Sequence, residues 1–445
     1  MTFPSAAPSP APLLVRGSLL YFLADPGPED RAEAYRWHED GGLWIENGRI
    51  RLADDWDKVL AAMPVADQDR ARRLDYRGRL ILPGLVDAHL HYPQAGVIAS
   101  FGRQLLDWLN DYTFPAEARF ADPEVAERGA EFVLDRLLAH GTTTASVFAT
   151  VHPGSADAFF QAAARRRLRM LCGKVMMDRN CPDYLQDTAA DSERDCRDLI
   201  ERWHGRDRLG YTLTPRFAPT STPEQLAVAG TLFAAYPDLH LQTHLSENKA
   251  EIAWVRELFP DRSSYLDAYD HYGLLGPRSI YAHAIHLDAT DRQRLGESGS
   301  AVAFCPTSNL FLGSGFFDLD AVSNAGVRVG LATDVGGGTS YSLIRTLGEA
   351  YKVAQFKGTA LSALRGWYLA TLGGARALYL EDKIGSFQPG REGDFVVLDW
   401  APTPELAFRQ EQAKTLEERL FALMILGDER CVVATHVLGE GAYRR

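Results

Sequence analysis

The chain has 445 residues, 46% of them hydrophobic, and a formal net charge of −12. That size allows one large globular domain with a smaller one beside it, and the charge argues against a nucleic-acid surface, where Lys and Arg would cluster. Five scattered cysteines (Cys172, Cys181, Cys196, Cys305 and Cys431) without a Cys-x-x-Cys pair argue against a disulfide framework and point to a reducing cytoplasm.

No charged leader precedes a long apolar core at the N-terminus. No apolar run approaches the roughly 20 residues that a membrane span needs. Ser5 to Pro12, rich in Ala and Pro, reads as a frayed tail. Short β-like pieces follow, Leu13 to Phe22 and Gly42 to Leu52, the second with Asn47-Gly48 as a hairpin turn. From residue 81 the pattern changes to strands alternating with amphipathic helices, which implies a parallel β/α architecture. The expected strands are Ile81 to His91, Thr142 to Thr150, Arg169 to Asp178, Leu209 to Phe217, His240 to Leu245, Ser279 to Ile285, Ala301 to Pro306 and Val327 to Asp334. In Pro123 to His140, apolar residues recur at helical spacing up to a stop at Gly141. Arg165-Arg166-Arg167, the one dense basic run, reads as the solvated end of a helix.

Eight strands over this length suggest a closed (β/α)₈ barrel, with its active site at the C-terminal strand ends. Phe395 to Trp400 and Cys431 to Leu438 read as further strands, and Glu405 to Leu426 as helical. The expected organisation is residues 81–383 as the barrel, with 1–80 and 384–445 meeting in a small composite β-domain. The helical stretch would pack on that domain or at a subunit contact.

The chemistry-bearing residues fall at strand ends. His89 and His91 lie two apart, so a strand presents both imidazoles on one face. Further strands end at His244, His283, Asp334 and Arg216-Phe217. His89, His91, His244, His283 and Asp334 form a nitrogen and oxygen ligand set without thiolate, which suits zinc or ferrous iron in a catalytic site. Each histidine alone would pass for a hydrogen-bonded core residue; it is the recurrence at separate strand ends that points to metal. Gly336-Gly337-Gly338 lacks the Lys-Ser/Thr of a phosphate-binding loop and reads as a tight loop that lets substrate approach. His286 reads as structural, and Asn309 to Gly315 as a pocket-side loop.

These segments resemble the amidohydrolase superfamily and, within it, the guanine deaminases. The resemblance is carried by Val86 to Gln94, Thr214 to Pro219, His244 to Lys249 and Phe304 to Gly315, and it runs from about residue 80 to 400. Ser246 departs from it, standing where bacterial members have Cys. The resemblance implies one zinc per chain on His89, His91, His244, His283 and Asp334, with iron as the alternative. It implies Glu247 as proton shuttle alongside Asp334. The guanine pocket would be lined by His91, Tyr92, Pro93, Gln94, Arg216, Phe217 and the segment His244, Leu245, Ser246 and Glu247. It also implies a homodimer.

The chemistry fits these residues. Replacing a ring amine by oxygen needs water activated near neutral pH and a carboxylate able to move protons between water and ring. Arg216 suits the carbonyl of guanine, Gln94 a purine edge, and Phe217 the ring face. Binuclear relatives bridge two metals with a carboxylated lysine at the end of the fourth strand, where this chain has Arg216; Lys174 lies on the third. The His-x-Glu and Pro-Cys-x-x-Cys elements of the other zinc deaminase fold are absent. The competing expectations are a related hydrolase of a pterin, triazine or adenosine derivative, and a non-catalytic barrel scaffold.

Overall fold

A computed structural model describes residues 11–101 and 104–445. Most of the proline-rich tail, Ser5 to Pro10, lies outside them. The chain opens on β1 (Leu13–Phe22), β2 (Tyr35–Glu46), β3 (Arg49–Asp55) and β4 (Arg72–Pro83). The turn between β2 and β3 is Asn47-Gly48, both residues at positive φ (53° and 74°), as a two-residue hairpin of matching twist requires.

The expected single strand Ile81 to His91 is two strands. At Gly84 the pairing partner changes. Leu80 to Pro83 pair with a C-terminal strand, whereas β5 (Leu85–His91) pairs in parallel with β6 (Thr142–Phe148). The apolar run could not reveal this break, because both halves are fully buried. The third expected strand also divides, into β7 (Arg169–Gly173) and β8 (Val175–Met176) around Lys174. Lys174 turns aside, buried, to form an ion pair with Asp187.

The barrel continues with β9 (Gly210–Pro215), β10 (His240–Leu245), β11 (Ser279–His283), β12 (Ala301–Phe304) and β13 (Arg328–Leu331). All its pairings are parallel, and the order is β5-β6-β7-β9-β10-β11-β12-β13. The last strand returns to the first through two backbone bonds, Asp334 N to His89 O (2.9 Å) and His91 N to Val335 O (3.1 Å). Closure thus runs through the site residues themselves. Several strands end two or three residues earlier than the apolar pattern suggests, because the chain there leaves the ladder to present polar groups.

Helices cover the barrel. The helix Pro123–Ala139 starts at Asp122, whose carboxylate accepts from Glu124 N (2.9 Å). It buries Ala126, Ala130, Val133, Leu134, Leu137 and Leu138, the stripe read from the sequence. The basic run at Arg165 is structural: Arg165 and Arg166 pair with Glu131, and Arg167 with Asp207.

The C-terminal strands β14 (Phe395–Leu398), β15 (Val432–Val437) and β16 (Glu440–Arg444) join β1 to β4 in one mixed sheet, ordered β16-β15-β14-β4-β1-β2-β3. In β4, Leu80 and Leu82 join the core shared with the barrel helices, while Ile81 joins a second core with Leu13, Val15 and Phe395. This is strand alternation with both faces covered. Buried Arg208 ties the sheet to the barrel through Glu392 (2.7 Å) and Asp394. The stretch Glu405 to Leu426 forms two helices, Pro404–Gln410 and Leu416–Leu426. The second packs on the barrel-side helices Leu343–Phe356 and Ala363–Tyr368, with Trp367 donating to Leu420 O (3.3 Å), rather than on the small sheet alone. No helix among the described residues is long and apolar enough to cross a membrane.

Candidate active site

The ends of β5, β10 and β11 and the turn after β13 converge on one buried cluster. His89, His91, His244, His283 and Asp334 are each at most 9% exposed. The pairing register between β5 and β6 shifts between Asp87 and Leu90. Leu90 then faces the helix-side core, and His89 and His91 come together with ring centroids 4.9 Å apart. His283 (φ 71°) and Asp334 (φ 51°) hold left-handed backbone, a strained state that a packed scaffold must support.

The ligand atoms face one another. His89 Nε2 lies 3.3 Å from Asp334 Oδ1, His91 Nε2 3.7 Å from the same oxygen, and His283 Nε2 3.8 Å from Oδ2. The Nε2 atoms of His91 and His244 are 3.1 Å apart. The far sides of two rings are fixed by the protein: His244 Nδ1 donates to Arg216 O (2.6 Å) and His283 Nδ1 to Asn309 Oδ1 (2.8 Å). Each such bond leaves the Nε2 lone pair directed into the cluster. His89 Nε2 is buried with no hydrogen-bond partner among the described residues, an orphan that a metal would satisfy.

Protonation points the same way. Burial, reinforced by the neighbouring imidazoles, holds His91 and His244 well below the ordinary histidine range, so both are neutral donors of a lone pair. Burial pushes Asp334 up, but the contacts with His89 and His283 outweigh it and keep it ionised below the usual carboxylate range. The four imidazoles and the Asp334 carboxylate fall in overlapping groups of close donor atoms, a nitrogen and oxygen set that fits a divalent metal such as zinc. Cys305 is near His283 and Asp334, but burial raises its thiol far above the ordinary range, so a thiolate ligand is disfavoured.

Glu247 sits beside this set without being surrounded by it. Its Oε2 lies 3.4 Å from His283 Nε2, and its Oε1 accepts from Ser314 Oγ (3.1 Å). Burial raises it to about 7, a value matched to giving and taking a proton near neutral pH. Asp87 lies behind the ligands, its carboxylate accepting from Thr333 N (3.0 Å) and His89 N (3.3 Å). It therefore ties the first strand end to the last.

A cavity opens on the cluster. It is lined by His91, His244, His283, Asp334 and Glu247, by the polar groups of Gln94 and Arg216, and by Phe217, Leu105, Trp108, Leu109, Leu312 and Gly337. Gly336 (φ 121°) passes so close to Gln94 that a Cβ there would lie 2.0 Å from its Oε1. The glycine run is thus a close backbone approach.

Four expected pocket residues do not line this cavity. Tyr92 points into the core and donates to Ser155 O (2.7 Å). Pro93 lines a different, outer depression. Leu245 belongs to the helix-side core, and Ser246 is a buried turn residue at positive φ. Leu245 alternates with His244 on β10, whereas Tyr92 and Pro93 lie on the short helical turn Tyr92–Val97 and Ser246 past the strand end, so a contiguous motif spreads over several directions.

The structure also adds residues. Glu117, buried, accepts from Gln94 Nε2 (2.9 Å) and Arg216 Nη1 (2.7 Å). It lies on a helix with a π-turn at Leu109–Thr113, a distortion common at functional sites. Asn309 lies on the short helix Pro306–Phe311, not in a plain loop, and with Ser314 orients the site. His286 bonds Ser314 O (2.9 Å) and is structural.

Comparison with known proteins agrees. The Amidohydrolase family model matches residues 80–440. The chain is 50% identical over 432 residues to the guanine deaminase of Escherichia coli strain K12, covering 97% of this chain and 98% of that protein. A solved structure of E. coli guanine deaminase matches with a TM-score of 0.94 at 49% identity, covering 97% of this chain and 100% of that one. The guanine deaminase of C. acetobutylicum with guanine bound in its active site matches with a TM-score of 0.87 at 29% identity, over 97% and 100% of the two chains. By sequence and by fold, the chain belongs to the amidohydrolase family.

Proposed function

We propose that this protein hydrolyses the exocyclic amine of guanine, giving xanthine and ammonia, with one zinc ion held by His89, His91, His244, His283 and Asp334. The observation that carries this reading is the buried nitrogen and oxygen cluster, with Glu247 beside it, opening on a cavity lined by Gln94, Arg216 and Phe217. The guanine deaminase relatives, one with guanine in its active site, support the choice of ring. A bound zinc would supply the Lewis acidity that brings water toward ionisation near neutral pH.

The side chains supply the rest. Phe217 and Leu312 wall the ring, and Arg216 and Gln94 fix its polar edge. Glu247, protonated, gives its proton from Oε2 to the ring nitrogen beside the amine-bearing carbon. Oxygen from water bonds to that carbon, and Asp334 accepts a proton from it. Glu247 then takes the remaining proton of the added hydroxyl and relays it to the amine; the carbonyl forms as the C–N bond breaks, ammonia leaves, and the proton held by Asp334 returns to Glu247. The walls exclude bulk water, which strengthens each of these contacts. We place the enzyme in the cytoplasm as a homodimer, following the cysteine pattern and the family resemblance. Ammonia release from guanine before chelation, after it, and after zinc is restored tests the reading. Activity that survives complete metal removal would overturn it.

A further inference from the structure

We infer that Glu117 sets the donor and acceptor polarity of the pocket, and so selects a purine edge of the form N–H next to C=O over its reverse. This inference rests on the reading of guanine as substrate. Glu117 is 1% exposed, and its carboxylate is an acceptor only. It receives Gln94 Nε2 at 2.9 Å and Arg216 Nη1 at 2.7 and 3.0 Å.

Two consequences follow from that geometry. The amide of Gln94 has one orientation, because rotating it would place Oε1 against a carboxylate oxygen. One N–H of its Nε2 is committed to Glu117, which fixes the side of the amide that carries Oε1; Oε1 accepts no hydrogen bond among the described residues and is the acceptor left for a ligand. Arg216 has Nη1 committed in the same way. Its Nε and Nη2, likewise without hydrogen bonds among the described residues, remain as donors. The guanidinium is held over Phe114, 5.2 Å from the ring centre. Gln94 and Arg216 both line the cavity, whereas Glu117 does not.

The pocket therefore presents an acceptor and a donor in fixed order. Guanine offers the complement, a donor at N1–H and an acceptor at the C6 carbonyl. 2,6-Diaminopurine keeps the reacting amine at C2 but reverses this edge, with a bare N1 acceptor and an N–H donor at C6. A mismatch would leave two buried polar pairs facing like to like, which hydrogen-bonding sites reject strongly. Glu117 acts through its two neighbours and is a positioning residue.

The test compares guanine with 2,6-diaminopurine by kcat/KM, or by inhibition constant if the analogue is not turned over. Glu117→Gln keeps the shape but lets the Gln94 amide turn. It should lower the guanine preference by at least about tenfold, mainly through loss on guanine, with metal content unchanged. In a Gln94→Leu background the same substitution should alter the preference far less. If Glu117→Gln does not fold, Glu117→Asp, which keeps the charge but shortens the reach, should show the same loss in part. An unchanged ratio, or equal losses on both substrates, would overturn the inference. Failure of the guanine reading would show separately, as a wild-type enzyme that releases no ammonia from guanine.

Discussion

Replacing Asn309 with leucine should weaken metal binding without unfolding the protein. Asn309 Oδ1 accepts the Nδ1 proton of His283 at 2.8 Å, and that bond keeps the His283 Nε2 lone pair aimed at Asp334 and Glu247. Loss of a buried hydrogen bond costs about 1–3 kcal/mol, and loss of an outer partner of a metal-binding histidine typically weakens metal affinity about 10- to 100-fold. The two scales agree, so metal affinity should fall by about 10- to 100-fold. The scaffold should be spared for a specific reason: Asn309 Nδ2 is buried with no partner among the described residues. Leucine has the same branching and removes that orphan donor, which offsets the lost bond. The metal-free thermal midpoint should then stay within about 2 °C of wild type. Competition with a chromogenic chelator measures the first quantity, and thermal unfolding of the stripped protein the second. Unchanged affinity would refute the orienting role, and a midpoint falling in step with affinity would assign Asn309 to packing instead.

Arg208→Met leaves Glu392 buried with Arg169, and Asp394 buried with the Leu438 N–H but no cation among the described residues; it should destabilise the protein by about 3–5 kcal/mol, read as a lower thermal midpoint. His436 stacks on Phe395 with ring centres 4.2 Å apart, and burial lowers it to about 4. Its folded pKa lies below the ordinary 6.5, so as pH falls the unfolded chain takes up the proton first. Its contribution is intact above pH ~6.5 and should fall by about 2 kcal/mol by pH ~5. Thermal unfolding of wild type and His436→Gln at the two pH values checks this: the wild-type midpoint should drop about 2 °C further than the variant's, and parallel drops would contradict it.

The strands of the barrel were legible because each is a short apolar run ending in a polar residue, and the buried His and Asp cluster because its members recur at those ends. What could not be read was where one buried strand becomes two. Leu80 to His91 is continuously apolar enough to hide the change of partner at Gly84, since a strand buried on both faces carries no alternation. The pocket was legible at Gln94, Arg216, Phe217 and Glu247 and blurred at Tyr92, Pro93, Leu245 and Ser246, where a motif adjacent in sequence divides between two faces. Glu117 gave no signal, and Asn309 was read only as part of a pocket-side loop. A lone acid on a helix and an Asn after a proline are ordinary until the fold brings them against Arg216 and His283.

The most direct test of the account is turnover of guanine by Glu247→Gln alongside elemental analysis of the same sample. Glu247 is placed to move protons without ligating metal, so the variant should retain one zinc per chain and release no ammonia from guanine on the timescale of wild type. Full activity with zinc retained would contradict the proton relay, and loss of the zinc would show that Glu247 belongs to the metal site instead.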